Sequence, residues 1–265
     1  LKIDPLLVIT QPRDIPQWTD AFYNNNLGGK YDRLIIKYER PSVAWHKARE
    51  LFLSYPEYTH YIYGTDDLLF QSEDLDCLIA DYERMCNPDT EVLAADMNLD
   101  MEVSHMRGWQ LDKYKLPLLV WNRSLELQDY HFADAHNPET ETIRAMEDGG
   151  FIKCSWSALA LAIIPRHIIE RTSFDNSIQF TNPNRPNTKG LADTLLDQGC
   201  ANDVVFAAEC KQQGFSLWTD LNIQATHLKP SVSRNLWYKE LCYVGLRQPE
   251  YFILKADTNE KINVN

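Results

Sequence analysis

Short apolar runs alternate with amphipathic stretches through the first hundred residues. Leu6-Leu7-Val8-Ile9, Leu34-Ile35-Ile36, Tyr61-Ile62-Tyr63 and Val92-Leu93-Ala94-Ala95 read as buried strands, because unbroken apolar runs leave no polar face for solvent. Helical patterns lie between them. Pro16 opens one through Phe22, which ends near Gly28-Gly29. Pro41-Ser42 opens a second, with Val43, Lys47 and Leu51 on repeating faces. Ser72-Glu73-Asp74 caps a third that carries Leu75, Leu78, Ile79 and Tyr82. Strands and helices alternating at this spacing predict βαβ units. The expected fold is α/β, with a mainly parallel central sheet flanked by helices.

The second half is less regular. Residues 118–121, 151–156, 159–164 and 215–218 are expected strands. Pro165-Arg166-His167-Ile168-Ile169 opens a short helix, and residues 182–190 (NPNRPNTKG) form a loop by composition. Asn202-Asp203 starts a helix running to about Gln213 and closed by Gly214. No linker divides the chain. One domain is expected over 1–230, with the polar tail 231–265 packing on an active site or closing over it.

Composition narrows the partners. The 265 residues carry 26 Lys+Arg against 38 Asp+Glu, a net charge of -12. That balance speaks against a nucleic-acid partner, which needs a basic footprint, and leaves a small anionic ligand open. No run of about 18 apolar residues exists, so no membrane span is expected. The 6 cysteines form no CxxC pair and read as reduced, buried small hydrophobes. No leader is recognisable, and a cytoplasmic location is expected. The single sequon, Asn122-Arg123-Ser124, is a chance-level match.

The first candidate chemistry is Thr65-Asp66-Asp67, directly after the third strand. Ligands of open α/β sheets bind beyond the carboxyl ends of strands. Two adjacent carboxylates there suit a divalent cation on a diphosphate, or else a turn with solvated or capping aspartates. Residues 58–70 (YTHYIYGTDDLLF), followed by Ser72-Glu73-Asp74-Leu75, resemble the DxD region of GT-A glycosyltransferases. In that family a strand ends in an acidic triplet, then an apolar pair and a helix follow. The resemblance implies that Asp67 contacts Mn²⁺ or Mg²⁺ and that Asp66 meets the nucleotide ribose or a metal-bound water. Thr65 stands where the first Asp is usual, which implies an altered donor contact and a weaker metal dependence.

Further segments match the same family in order. Residues 7–13 (LVITQPR) resemble its first strand and base-binding loop, which implies Thr10 and Arg13 against base or ribose. Arg13 also reads as a surface charge beside a turn. Residues 41–50 (PSVAWHKARE) resemble the helix before the acidic strand. There Lys47 reaches a phosphate or lies on a solvated face, and Arg49 reads more simply as solvated. Residues 150–166 (GFIKCSWSALALAIIPR) resemble the acceptor-side strands, with Trp156 and Ser157 as sugar-pocket candidates; core packing is the other reading of Trp156. Residues 201–214 (ANDVVFAAECKQQG) resemble the xED helix of inverting members. Asp203 then falls at the general base, although it also suits a helix cap, and Asn202 replaces the common Glu. His227, in residues 220–229 (DLNIQATHLK), stands where several such families carry a metal-binding His; a lone His is otherwise structural. Lys229 and Arg234 follow as candidate clamps on the leaving diphosphate, and Trp237 and Tyr238 as a lid. His131 and His136 (HFADAH) match no zinc-helix spacing and read as a surface or acceptor loop.

Together the matches imply a single GT-A (Rossmann-like) domain. The implied activity is metal-dependent transfer of a hexosyl or deoxyhexosyl group. The donor would be a nucleotide-diphosphate sugar and the acceptor a hydroxyl of a glycan or other molecule, with inversion if Asp203 is the base. A retaining enzyme of the same fold, a metal-dependent nucleotidyltransferase and an inactive nucleotide-sugar binder are the alternatives. The nucleotidyltransferase would want a Gly-rich phosphate loop near the N-terminus, and none is present.

Overall fold

The computed structural model describes residues 2–11, 30–39, 41–66, 68–99, 149–154, 159, 161–174, 202–227 and 247–264. In chain order the elements are β1 (Pro5–Gln11), β2 (Arg33–Lys37), α1 (Pro41–Leu53), β3 (His60–Thr65), β4 (Leu68–Leu69), α2 (Ser72–Met85), β5 (Glu91–Leu99), β6 (Phe151–Cys154), β7 (Ala162–Pro165), α3 (Arg166–Arg171), α4 (Asn202–Gln212), β8 (Ser216–His227), β9 (Glu250–Leu254) and β10 (Lys261–Asn263). The strands form one sheet in the order β10-β9-β2-β1-β3-β7-β5-β8-β4, with β6 also paired to β8.

The fold is α/β as expected, but the sheet is mixed rather than mainly parallel. β1 runs parallel to β2 and β3, and β5 parallel to β8. β7 is antiparallel to both neighbours, β3 and β5, and β4, β6, β9 and β10 also pair antiparallel. The reason lies in what an apolar run encodes. Ala162-Ile163-Ile164 is buried throughout, and a strand buried on both faces looks the same in sequence whichever way it runs. Since β7 opposes both β3 and β5, the strands β2, β1, β3, β5 and β8 share one direction.

Two apolar layers cover the sheet. On one face Leu6, Val8, Leu34, Ile36, Tyr61 and Tyr63 meet α1 through Ala44, Ala48 and Phe52, α3 through Ile168 and Ile169, and α4 through Phe206 and Cys210. On the other, Leu7, Ile9, Ile62, Leu93 and Ile163 meet Leu75, Leu78 and Tyr82 of α2. The strand residues alternate between the layers, so successive side chains point to opposite faces and both faces stay dry. Cys210 is buried as expected, whereas Cys77 is exposed.

Several details differ from the sequence pattern. The cap of α2 is Gln71, whose N–H donates to Asp74 at 2.8 Å. The expected strand 159–164 begins only at Ala162, because Leu159 and Leu161 have φ of 55° and 45°, a left-handed backbone that no strand accepts. β8 runs 12 residues, far beyond the expected 215–218. Arg166 reaches back from α3 to the carbonyls of Leu53, Tyr55 and Tyr58, satisfying acceptors at the end of α1 and just past it. The expected elements at 16–22 and 118–121 lie outside the described residues. No helix among the described residues is long and apolar enough to cross a membrane.

The described end of the tail belongs to the sheet. β9 pairs with β2 from Arg33↔Leu254 to Lys37↔Glu250, and β10 folds back on β9. Asp32 fastens this hairpin. Its carboxylate accepts from Lys255 Nζ (2.8 Å), the Tyr58 hydroxyl (2.6 Å) and the Ala256 N–H (2.7 Å). Burial alone would raise the Asp32 carboxyl, but the hydrogen bonds from Lys255, Tyr58 and Ala256 outweigh it and hold the pKa below the ordinary value. A lowered carboxyl contributes stability above its unfolded pKa and loses it as pH falls through the folded one. We expect Asp32→Ala to destabilise the protein by about 1–3 kcal/mol near neutral pH. Urea melts should show the gap to wild type closing below about pH 4; a gap independent of pH would contradict the assignment.

Candidate functional site

The shared direction brings five strand ends to one edge: Lys37, Gln11, Thr65, Leu99 and His227. β7 starts there too, with Ala162 opposite Tyr63. At the centre Thr10 of β1 pairs with Thr65 of β3, and the Asp66 N–H donates to the Thr10 carbonyl at 3.1 Å. Asp66 is only 2 % exposed. Thr10 is also buried, and its Oγ1 lies 3.1 Å from the Tyr63 hydroxyl. It therefore supports the floor of this edge through Tyr63.

From Tyr63 a run of aromatic contacts leads to the expected base. The Trp45 ring of α1 packs on Tyr63 with centroids 3.8 Å apart, and Phe174 lies 5.3 Å from Trp45. Phe174 stacks on Phe206 of α4 at 4.8 Å, and the Phe174 carbonyl accepts from Asn202 Nδ2 at 2.8 Å. Asp203 is the next residue, in the first turn of α4. These contacts link Thr10 and Tyr63 at the strand-end edge, step by step, to the first turn of α4.

The expected cations divide. Lys47 lies 3.8 Å from the Glu50 carboxylate, with its ammonium 5.3 Å from the Tyr251 ring centroid. Arg49 donates from Nε to the Ile169 carbonyl (2.9 Å) and from Nη2 to the Glu170 carbonyl (3.1 Å). It ties α1 to α3 from a half-exposed position.

The backbone of His227 is placed by β8. His227 is the register partner of Leu68 in β4 and of Leu99 in β5, and Leu68 directly follows Asp67 in the chain. This register depends on a bulge. Ala95 pairs with Asp220 but Asp96 with Gln224, so Leu221, Asn222 and Ile223 are inserted on the β8 side. A small knot of hydrogen bonds holds the bulge. Asp220 Oδ1 accepts from both the N–H and the Nδ2 of Asn222 at 2.9 Å, Asn222 Nδ2 also donates to the Gly149 carbonyl at 2.9 Å, and the Leu221 N–H donates to the Gly150 carbonyl at 2.7 Å. At Gly150 φ is +87°, and a Cβ would lie 2.4 Å from Asn222 Nδ2, so only glycine fits.

Asp67, Arg13, Trp156, Ser157, Lys229 and Arg234 lie outside the described residues, as do His131, His136, Trp237 and Tyr238. Among the described residues no cluster of three or more His, Cys, Asp or Glu could hold a metal ion. Several edge residues escaped the sequence reading. Asp96 is a buried carboxylate that ends the apolar run Val92 to Ala95, the same signal that marked Asp66. Trp45, Tyr63 and Phe174 carried no such signal. Tyr38 was also missed. Its N–H donates to the Gln11 carbonyl at 3.0 Å, and Arg247 Nη1 donates to its hydroxyl at 2.8 Å.

Backbone strain gathers at the same edge. Among the described residues the non-glycine positions with positive φ are Tyr38, Leu159, Leu161, Phe174 and Asn259. Asn259 sits in the β9–β10 turn, an ordinary place for Asn. The other four are bulky, and they follow β2, precede β7 or pack on Trp45. Such strain persists only where surrounding contacts over-determine it, and it concentrates at functional sites.

Comparison with family models and with curated proteins finds no match. Among solved structures, the crystal structure of A197 from STIV is similar, with a TM-score of 0.48 and 13 % identity over 99 % of this chain and 95 % of that one.

The bulge supplies a test of its own. Asp220 is fully buried. Burial first, and then the facing Asp81 carboxyl, push its pKa up to about 6 against the hydrogen bonds from Asn222. A raised carboxyl contributes stability that is present below its unfolded pKa, about 3.9, and is lost as pH rises through the folded one. Asp220→Asn keeps the acceptor for Asn222 and removes the titration. Its Tm should match wild type near pH 4 and exceed it above about pH 6. Parallel Tm profiles for the two proteins across that range would remove Asp220 as the titrating group.

Proposed function

We propose that the protein is a metal-dependent glycosyltransferase with a single GT-A (Rossmann-like) domain, using a nucleotide-diphosphate sugar as donor and a hydroxyl acceptor. The observation that carries this reading is the register of β8 on β4, in which His227 stands opposite Leu68, one residue after Asp67. The sequence separates His227 and Leu68 by most of the chain, yet their backbones pair in the sheet. The strained residues around the strand-end edge and the contact path to Asp203 add support.

In this reading Asp203 takes the proton of the acceptor hydroxyl as its oxygen attacks the anomeric carbon. The bond from that carbon to the diphosphate oxygen breaks, and configuration inverts. Asp67 and His227 would hold Mn²⁺ or Mg²⁺, a carboxylate and an imidazole being a fitting donor set beside diphosphate oxygens. When bound, the cation supplies positive charge to the leaving diphosphate. Lys229 and Arg234 are the assigned clamps on the same group, Thr10, Arg13 and Thr65 the assigned nucleotide contacts, and Trp156 and Ser157 the assigned sugar contacts. The donor would be drawn from a cytoplasmic pool. One specific observation favours a second reading, an inactive nucleotide-sugar binder: Thr65 occupies the position where a first Asp would complete the acidic triplet.

A panel of nucleotide sugars, each with and without Mn²⁺, tests the proposal by thermal shift and by release of free nucleotide. One donor should raise Tm in a metal-dependent way and release nucleotide when an acceptor is present. Asp67→Ala and His227→Ala should each abolish the metal-dependent shift, and its survival in both would reject the metal site. Asp203→Asn should keep the shift while losing about 10²–10⁴-fold in transfer. A shift without nucleotide release under any acceptor would support the binder instead.

A further inference from the structure

We propose that Phe174 and Asn202 form a latch that fixes the first turn of α4 and so positions Asp203 at the strand-end edge. The inference rests on the reading of Asp203 as the base. Phe174 is fully buried, with a φ of 53°. A left-handed backbone is costly for a bulky residue and needs contacts that hold it. Those contacts come from three elements. The Phe174 ring stacks on Phe206 of α4 at 4.8 Å and 11°, packs 5.3 Å from Trp45 of α1, and lies 6.2 Å from Tyr61 of β3. Just before it, Ser173 gives its N–H (2.7 Å) and hydroxyl (2.5 Å) to the Glu209 carboxylate of α4. The Ser173 carbonyl lies 3.2 Å from His46 Nδ1 of α1.

The polar half of the latch is chemically selective. Asn202 is 2 % exposed, and its Nδ2 donates to the Phe174 carbonyl at 2.8 Å. A side chain at a helix start usually turns inward to accept from the helix's own N–H groups. Asn202 instead donates outward, to another segment. A carboxylate has no proton to give, so a Glu or Asp at this position could not make the bond. This accounts for an amide where the resembling helix motif has Glu. Holding residue 202 sets the rotational phase of the helix, and Asp203, one position on, takes its direction from that phase. Phe174 and Asn202 are positioning residues; neither touches the reacting atoms.

Asn202→Asp tests the latch because it keeps the shape and removes the donor. Asn202→Ala removes the donor without adding a charge, and it serves if the first variant fails to fold. In both, amide hydrogen exchange in the first turn of α4 should quicken, while the strands exchange as in wild type. The metal-dependent thermal shift with donor should persist, and kcat for transfer should fall by about 10²-fold, as expected for a displaced catalytic group. In Asn202→Asp the acidic limb of the kcat profile should also move to higher pH, since a like charge then stands beside Asp203. Unchanged exchange in the first turn of α4 overturns the latch, whatever the activity. Faster exchange with unchanged kcat and pH profile overturns the positioning role. A wild type that releases no nucleotide from any donor overturns the function assigned to Asp203, and the exchange result then shows whether the mechanical link stood without it.

Discussion

Burial of the sheet on both faces is the constraint that the rest of the structure obeys. Leu6, Leu7, Val8 and Ile9 have no exposed surface, and neither do Ile62 and Ile163 on the strands beyond. A charged side chain in the middle of such a strand would lose its water with nothing to replace it. In β1 and β3 the polar groups lie at the strand ends, as Thr10, Gln11, Thr65 and Asp66, while the buried Asp220 within β8 sits at the bulge, where Asn222 donates to it. Because β2, β1, β3, β5 and β8 share a direction, these ends fall on one edge. The candidate site is the place where the core stops excluding polar chemistry.

That logic explains which elements could be read from the sequence. The strands buried on both faces announce themselves as apolar runs, and β1, β2, β3 and the start of β5 lie where the pattern puts them. β8 is different. Its first part reads as a strand, but Asp220 interrupts it, and the inserted Leu221, Asn222 and Ile223 shift the alternation of buried and exposed positions. A period-two pattern cannot be followed through a bulge. β10 was missed because it is the edge strand, where Lys261 and Asn263 face solvent and no apolar run forms; β9 does carry an apolar run, Tyr251 to Leu254, but it lies within a tail read as polar throughout. Strand direction was illegible throughout, which is why a mixed sheet was read as mainly parallel.

The site was partly legible on the same terms. Asp66 stands out because a carboxylate follows an apolar strand, and Asp203 because it opens a helix. The contacts between them were not legible. Arg49 illustrates this, since its spacing suits a solvated helix face and only the packing of α1 on α3 shows it bound to two carbonyls. Phe174 illustrates it again. A phenylalanine after Thr172-Ser173 predicts nothing, and its left-handed backbone follows from contacts that come from α1, β3 and α4. Local sequence encodes where a polar group is tolerated. The pairing of distant segments decides what it faces.

Charge bears on whether the proposed site needs a cation. A chain with a net charge of -12 repels a diphosphate at long range, so positive charge must be supplied locally. The described basic side chains nearest the edge are already engaged. Lys47 sits by Glu50, Arg49 is bound to two backbone carbonyls, Arg247 donates to the Tyr38 hydroxyl, and Lys37 lies 5.8 Å from the Phe252 ring centroid. Drawing any of them onto a phosphate would break a contact within the fold. In the proposed reading, neutralisation therefore falls to the cation on Asp67 and His227 and to Arg13, Lys229 and Arg234. With Thr65 in place of a third acid, fewer fixed negative charges oppose the donor. The same replacement leaves the cation more dependent on the diphosphate's own oxygens, so metal and donor should bind as a pair.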